Sequence, residues 1–265
     1  MIGAVVGDII GSRFEWDNIK TKDFKLLTDD CFFTDDTVMT LAIAKSLLDC
    51  DGDYEFLSEV TVANMKDIGQ PYPDCGYGGR FYQWMYSDDS QPYNSYGNGA
   101  AMRVSAVGLV ATSIDQVKEL SKKITEVTHN HVEGLKGAEA TAIAVYFAKE
   151  KKSKQFIKDY LMKHYYPMGK SLDEIRVDYQ FNETCQETVP QALQAFLEAT
   201  SFEDAIRNAI SIGGDSDTVA AITGGVAAMY YGIPTKIIDQ ALPFLDNRLL
   251  YLLQQFNSKY PTPII

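Results

Sequence analysis

Two short acidic clusters each open an apolar helix, and each runs into the same tripeptide, Asp-Thr-Val. They are Thr34-Asp35-Asp36-Thr37-Val38, towards one end of the chain, and Gly214-Asp215-Ser216-Asp217-Thr218-Val219, towards the other. Carboxylates drawn together from such distant segments constrain a fold heavily, because they repel one another unless a cation sits among them. Asp and Thr are also preferred helix N-caps, and a carboxylate is favourable at the positive end of a helix, so either cluster alone reads as a cap. A cap needs a single oxygen, however, whereas Thr-Asp-Asp offers several at one helix start. Asp-Ser-Asp-Thr does the same at the other, with alternate positions facing one way. The pairing therefore predicts a metal site, and donors that are all oxygen favour Mg²⁺ or Mn²⁺ over Zn²⁺.

The remaining pattern is helical. Ile2, Val5, Val6, Ile9 and Ile10 form one stripe, and Gly3, Gly7 and Gly11 recur every fourth residue on the same segment. Each glycine weakens a helix by about 1 kcal/mol relative to alanine. The spacing is therefore read as close backbone packing in preference to a phosphate loop. Further stripes run from Val38 to Leu48 and through Val117, Leu120, Ile124 and Val127, the latter with Asp115 as its N-cap. Others run through Ile143, Tyr146 and Phe147, through Phe202 to Ile210 up to the stop Gly213-Gly214, and from Val219 to Met229. The tail from Pro234 reads as two more helices. Residues 19–33, 71–79, 88–97 and 167–184 read as loops. No run alternates as a strand would, which gives one all-α domain over residues 1–265.

The hydrophobic fraction, 46%, is ordinary for a chain with a real core. The balance of 24 basic and 36 acidic side chains, −12 net, argues against non-specific binding to nucleic acid or anionic membranes. An anionic substrate would have to be held by a bound metal or local dipoles. Cys31, Cys50, Cys75 and Cys185 lack Cys-x-x-Cys spacing and read as free thiols. No stretch approaches the ~20 apolar residues of a membrane span. The patterned helix from Ile2 leaves no room for a cleavable leader, so a cytoplasmic location is expected.

Three smaller features carry chemistry. Ser95-Tyr96-Gly97-Asn98-Gly99-Ala100-Ala101-Met102-Arg103 is a glycine-rich turn feeding a helix near Ala100, a place where backbone N–H groups can meet phosphate oxygens. It is also an ordinary Asn-Gly turn. Thr128-His129-Asn130-His131 holds two of the three histidines in the chain and reads as a surface loop. A zinc site would want more partners than His164 alone can add. Glu15, just beyond the glycine helix, reads by itself as a solvated acid or ion-pair partner.

With these segments in hand, the chain resembles the ADP-ribosylglycohydrolase family, which includes the enzymes that reactivate ADP-ribosylated nitrogenase reductase. The matching segments occur in family order: Gly3-Ala4-Val5-Val6-Gly7-Asp8 through Phe14-Glu15, Phe33 to Thr37, Ser95 to Arg103, Thr128-His129, and Gly213 to Thr218. The resemblance implies a compact orthogonal helical bundle with two Mg²⁺ or Mn²⁺ ions in a cleft at helix N-termini. It implies ligands Thr34, Asp35 and Asp36 on one side and Asp215, Asp217 and Thr218 on the other. Glu15 matches a cleft-gating acid implicated in catalysis, and Asp36 shares the catalytic role. Ser95, Tyr96, Gly97, Asn98, Gly99 and Met102 look like the cradle for ADP-ribose. Gly76 and Gly78 fall where another phosphate-side loop is expected, and His129 matches a residue near the distal ribose. One position departs: the nitrogenase-reductase enzymes carry an aspartate where this chain has Ser95. The Ser-Tyr-Gly-Asn-Gly form is similar to the branch that cleaves ADP-ribosyl-serine and related O-linked adducts. The implied activity is metal-dependent cleavage of the bond between ADP-ribose and an acceptor, on a protein or a small molecule; a monomer is the default expectation. An inactive ADP-ribose-binding or crystallin-like relative and a two-metal phosphoesterase are the competing readings.

Overall fold

The computed structural model describes residues 1–265. Its elements, in order, are α1 (Ile2–Gly11), α2 (Asp35–Cys50), α3 (Leu57–Gly69), α4 (Gly79–Tyr86), α5 (Gly99–Met102), α6 (Ser105–Val110), α7 (Ile114–Thr125) and α8 (Val132–Lys149). They continue as α9 (Lys154–His164), α10 (Leu172–Asp178), α11 (Cys185–Glu198), α12 (Phe202–Ser211), α13 (Ser216–Tyr231), α14 (Thr235–Ala241) and α15 (Asn247–Lys259). Short 3-10 turns follow α1 and α14. The only β pairing is two isolated bridges, Gly97 with Thr184 and Ile233 with Ile264.

The all-α expectation holds, and the centre of the bundle is α1 against α13. Every residue of α1 is buried, so this helix has no solvent face to define it. Its glycines allow the contact: a Cβ on Gly7 would lie 2.1 Å from the carbonyl oxygen of Ala220, and one on Gly224 would lie 2.1 Å from that of Gly3. Helix α13 also packs on α8, α11 and α12, while α2 packs on α3 and α15. One continuous cluster of 78 buried residues joins these layers. The cysteines are free, as expected, and no helix is long and apolar enough to cross a membrane.

The structure corrects several local readings. Helix α7 is capped by Ser113, whose side chain accepts the Gln116 N–H, so Asp115 lies in the first turn and favours the helix dipole instead. Val127 lies beyond that helix. Residues 167–184 are not all loop, since α10 forms there on a reciprocal capping box between Ser171 and Glu174. Helices α3, α4, α6, α9 and α11 add to the stripes read from the sequence. Helix α11 is the hardest of these to read because it carries Pro190 in its interior.

Candidate metal centre and substrate cleft

Both acidic clusters sit at helix starts, as expected, and Asp8 joins α1 to the first of them. Thr34 is the N-cap of α2: its hydroxyl accepts the Asp36 N–H at 3.3 Å and donates to Asp8 Oδ1 at 2.7 Å. Asp8 Oδ2 accepts the N–H groups of Thr34 (3.0 Å) and Thr37 (3.1 Å). A fully buried carboxylate on the glycine helix therefore satisfies the orphan donors of the α2 N-terminus. At the other end, Gly213 and Gly214 adopt positive φ (69° and 80°), turning the chain so that Asp215 caps α13. Gly214 is doubly constrained, because a Cβ there would also lie 2.3 Å from the ring of Tyr179.

The segment carrying Glu15 is stapled to that turn. Asn18 accepts the Gly214 N–H at 2.6 Å and donates to the carbonyls of Gly214 (2.9 Å) and Phe14 (2.6 Å). Lys20 donates to the carbonyls of Tyr179 (2.7 Å) and Ile212 (2.5 Å). The result gathers carboxylate oxygens of Glu15, Asp215 and Asp217 within 4.8 Å of one another. The two clusters meet directly as well: Thr218 Oγ1 donates to Asp36 Oδ2 at 3.0 Å. Asn98 Nδ2 donates to Asp215 Oδ2 at 2.6 Å and to Thr188 Oγ1 at 3.1 Å, which orients Asp215.

Electrostatics shows what the cluster lacks. Burial raises Glu15 to about 7, and repulsion from Asp217 and then Asp8 adds to it, while the Trp16 side chain draws it down. Burial likewise raises Asp8 to about 6 against its hydrogen bonds to Thr37 and Thr34, and raises Asp215 to about 6. Asp35, Asp36 and Asp217 lie well above the ordinary carboxylate range, through burial first and mutual repulsion second. Asp36 Oδ1 and Asp217 Oδ1 are buried with no hydrogen-bond partner in the protein. Buried acceptors of that kind are costly unless something pairs with them. Several converging carboxylates, two of them with an unmatched oxygen, suit a hard divalent cation.

These groups line a cavity of about 400 Å³, within the ~300–1,000 Å³ common for small-molecule sites. Every residue singled out from the sequence lines it except Thr34, whose hydroxyl is committed to Asp8 and the helix cap. Gly76, at φ 106°, packs beside Asp35, where a Cβ would come within 3.3 Å of Oδ1. The Ser95–Gly99 turn is clamped onto the start of α11: Asn98 N–H donates to the Glu183 carbonyl at 2.7 Å and Cys185 Sγ–H to that of Gly97 at 3.1 Å. The N–H groups of Gly97, Asn98, Ala100 and Ala101 are all donated within the protein. This narrows the expected N–H cradle. The glycines serve space more than donation, since a Cβ on Gly97 or Gly99 would stand 3.6 or 3.5 Å from His129 Nε2.

The Thr-His-Asn-His run is not the simple surface loop expected. His131 is a helix cap, its Nδ1 accepting the Glu133 N–H at 3.1 Å. His129 is buried and reaches the cavity. Arg103, fully buried beneath it, donates to Thr128 Oγ1 at 2.8 Å, and Thr128 Oγ1 lies 2.7 Å from His129 Nδ1. Arginine only donates, so the Thr128 proton is directed to Nδ1. That leaves the His129 proton on Nε2, facing the glycine turn. Burial and the nearby Arg103 hold the imidazole well below its ordinary pKa, so it stays neutral. Arg80 and Arg103 also line the cavity and bring positive charge to its His129 side.

Asp8, Asn18 and Arg103 were missed as site residues. Asp8 and Arg103 lie inside motifs that carry the resemblance, and an acid within a wholly apolar stripe was the available signal for Asp8. Nothing in the sequence marks Asn18.

Comparison with known proteins agrees with the geometry. The profile of the ADP-ribosylglycohydrolase family matches residues 1–257. The chain is 27% identical to ADP-ribosylhydrolase ARH3 of Homo sapiens, over 88% of this chain and 84% of that protein. It is 26% identical to ADP-ribosylhydrolase ARH3 of Xenopus tropicalis, over 88% and 86%. A solved structure titled ADP-ribosylglycohydrolase-related protein complex shares the fold with a TM-score of 0.73 at 22% identity, covering 97% of this chain and 95% of that one. With its fold, its paired acidic helix starts and this match along nearly the whole sequence, the chain belongs to the ADP-ribosylglycohydrolase family.

Proposed function

We propose that the protein is a divalent-cation-dependent hydrolase that cleaves the glycosidic bond between ADP-ribose and an acceptor, releasing ADP-ribose. The observation that carries this reading is the convergence of Glu15, Asp36, Asp215 and Asp217 in one cavity that Arg80, Arg103 and His129 also line. Asp35, Asp36, Asp215, Asp217 and Thr218 would hold two Mg²⁺ or Mn²⁺ ions, with one remaining lone pair of Thr34 at the edge of the set. When bound, the ions supply Lewis-acid charge and a template for the ribose hydroxyls.

The chain's own residues account for the rest. Glu15 is assigned the proton transfer because its carboxylate lines the cavity beside Asp215 and Asp217 without being needed as a helix cap. It takes a proton from the attacking water as the water oxygen bonds to the anomeric carbon. The bond from that carbon to the acceptor breaks, and the acceptor leaves with a proton returned from Glu15. The transition state is oxocarbenium-like, as in other glycoside hydrolyses. Gly76, Gly78, Ser95, Tyr96, Gly97, Asn98, Gly99 and Met102 surround the ADP portion, and the Nε2–H of His129 donates to an oxygen of the ligand. We take the protein to act as a cytoplasmic monomer.

The test is release of free ADP-ribose from arginine-, serine- and nucleobase-linked adducts, with Mg²⁺, with Mn²⁺ and after chelation. Cation-dependent release from one linkage is expected. AMP or phosphate released from ADP-ribose itself, or adduct binding without release, would overturn the proposal.

A further inference from the structure

Beside Glu15, which lines the cavity, stands an exposed aromatic pair that the mechanism above does not use. Trp16 is 78% exposed, and its ring stacks on Phe181 with centroids 5.0 Å apart and an interplanar angle of 24°. A tryptophan this exposed is unusual, since its large apolar surface is normally covered. Neither partner sits on a loose segment. The Trp16 side is held by Asn18 and Lys20 to the turn before α13 and to Tyr179. The Phe181 side is held by the Glu183 carbonyl to Asn98 and by Asn182, whose Oδ1 accepts the Thr184 N–H at 2.9 Å. Phe181 occupies one face of the indole and leaves the other open. The pair is therefore a stacked platform beside the carboxyl assigned to the proton transfer.

The two segments that carry the pair hold charge of one sign. Residues 14–19 and 178–187 contain Glu15, Asp17, Asp178, Glu183 and Glu187, and no lysine, arginine or histidine. Asp17, Asp178, Glu183 and Glu187 are exposed, and Glu183 lines the cavity. The nearest lysine in sequence, Lys20, has its ammonium engaged by two carbonyls. Trp16 is the neighbour of Glu15, and Phe181 lies two residues before Glu183; both acids line the cavity, so the pair stands beside the carboxyl at which the acceptor would be released.

We infer that Trp16 and Phe181 form the docking platform for the acceptor polypeptide, and that the platform selects acceptors carrying lysine or arginine next to the modified residue. This rests on the glycohydrolase reading for its consequence in catalysis. An open indole face flanked by carboxylates attracts a guanidinium or ammonium group by cation–π and Coulomb terms together. An acidic acceptor would be repelled by the same groups.

Two measurements on the full chain test this. The first needs no turnover. Trp16 is exposed while Trp84, the other tryptophan, is buried, so fluorescence reports on the platform. Titration with an unmodified decapeptide containing lysine and arginine should give a saturable change that weakens with added salt. The change should be absent for the glutamate counterpart, and calorimetry should show binding of the basic peptide lost in Trp16→Ala. The second compares kcat/KM, with Mg²⁺ present, for ADP-ribosylated peptides of one linkage flanked by arginine, glutamine or glutamate. An advantage of about tenfold for the arginine peptide over the glutamine peptide is expected, and Trp16→Ala should bring that ratio towards one. Equal binding of basic and acidic peptides, or a ratio unmoved by Trp16→Ala, would overturn the inference. If no adduct is hydrolysed, the glycohydrolase reading fails by itself, and the fluorescence titration still decides whether the platform binds a basic peptide.

Discussion

Replacing Gly7 with alanine sets two effects of opposite sign against each other. Alanine is the better helix former by about 1 kcal/mol, so on propensity alone the variant is more stable. The packing says the reverse. The new Cβ would lie 2.1 Å from the Ala220 carbonyl oxygen and 2.5 Å from its carbon. A carbon–oxygen contact settles near 3.3 Å, so α1 and α13 would have to part by about 1 Å over the middle of their contact. Overpacking of this kind costs about 1–3 kcal/mol, and the atoms opposed here are backbone, which cannot rotate aside as a side chain would. Taking the top of that range less the propensity gain leaves a loss of about 2 kcal/mol, a fall in Tm of roughly 4–8 °C at about 2–4 °C per kcal/mol for a chain near this size. The next residue is Asp8, so the shift would also move the carboxylate that organises the start of α2. Thermal unfolding and Mg²⁺ titration of Gly7→Ala check both effects. A Tm equal to or above that of the parent would show that the glycine spacing does not set the helix separation.

Glu15→Gln should lower turnover by about 10²–10⁴-fold, the range of a lost acid–base group, with ADP-ribose affinity little changed by calorimetry. Near-normal turnover would remove Glu15 from the mechanism. Asp8→Asn places an amide against the N–H groups of Thr34 and Thr37 and should cost about 1–3 kcal/mol, seen as a lowered Tm and weakened Mg²⁺ binding although Asp8 does not line the cavity; unchanged Mg²⁺ affinity would refute its positioning role. In Thr128→Val the His129 ring loses its fixed tautomer, which ¹⁵N NMR of the imidazole reports directly, and Thr128→Ser should restore it. Glu15 is raised to about 7 and Asp8 and Asp215 to about 6, against about 4 in an unfolded chain. Between about pH 4 and 7 the cation-free folded state thus binds more protons than the unfolded one, and its stability falls as pH rises through that window. Added Mg²⁺ should raise Tm more at pH 7.5 than at pH 5, and an equal rise at both would contradict the charge argument.

The residues legible in advance share a position: they stand at helix starts, where polar side chains interrupt an apolar pattern. Asp35, Asp36, Asp215 and Asp217 stood out because each pair breaks a stripe at its beginning. Asp8 did not, because it sits inside a stripe and its carboxylate is satisfied by another helix's backbone, a contact that no local pattern encodes. Arg103 was hidden in the same way, since its partner Thr128 lies 25 residues further along the chain. The role of Asn18 depends on the turn at Gly214, far along the chain. Among the elements, α10 carried a readable signal in Ser171 and Glu174. Helices α3 and α9 carry charged residues through their length, which blurs the stripe.

The burial of α1 on every side has a consequence for how the chain is made. This helix has no polar face to keep it in solution, and its partner α13 does not exist until the chain has been extended past Tyr231. At the ~5–20 residues per second of translation, the apolar segment from Ile2 to Gly11 waits many seconds for its mate. Until then it is a sticky thread, open to chaperones and to other nascent chains. Asp217 cannot join Asp8 and Asp36 before α13 docks, so the step that covers α1 also completes the cation site.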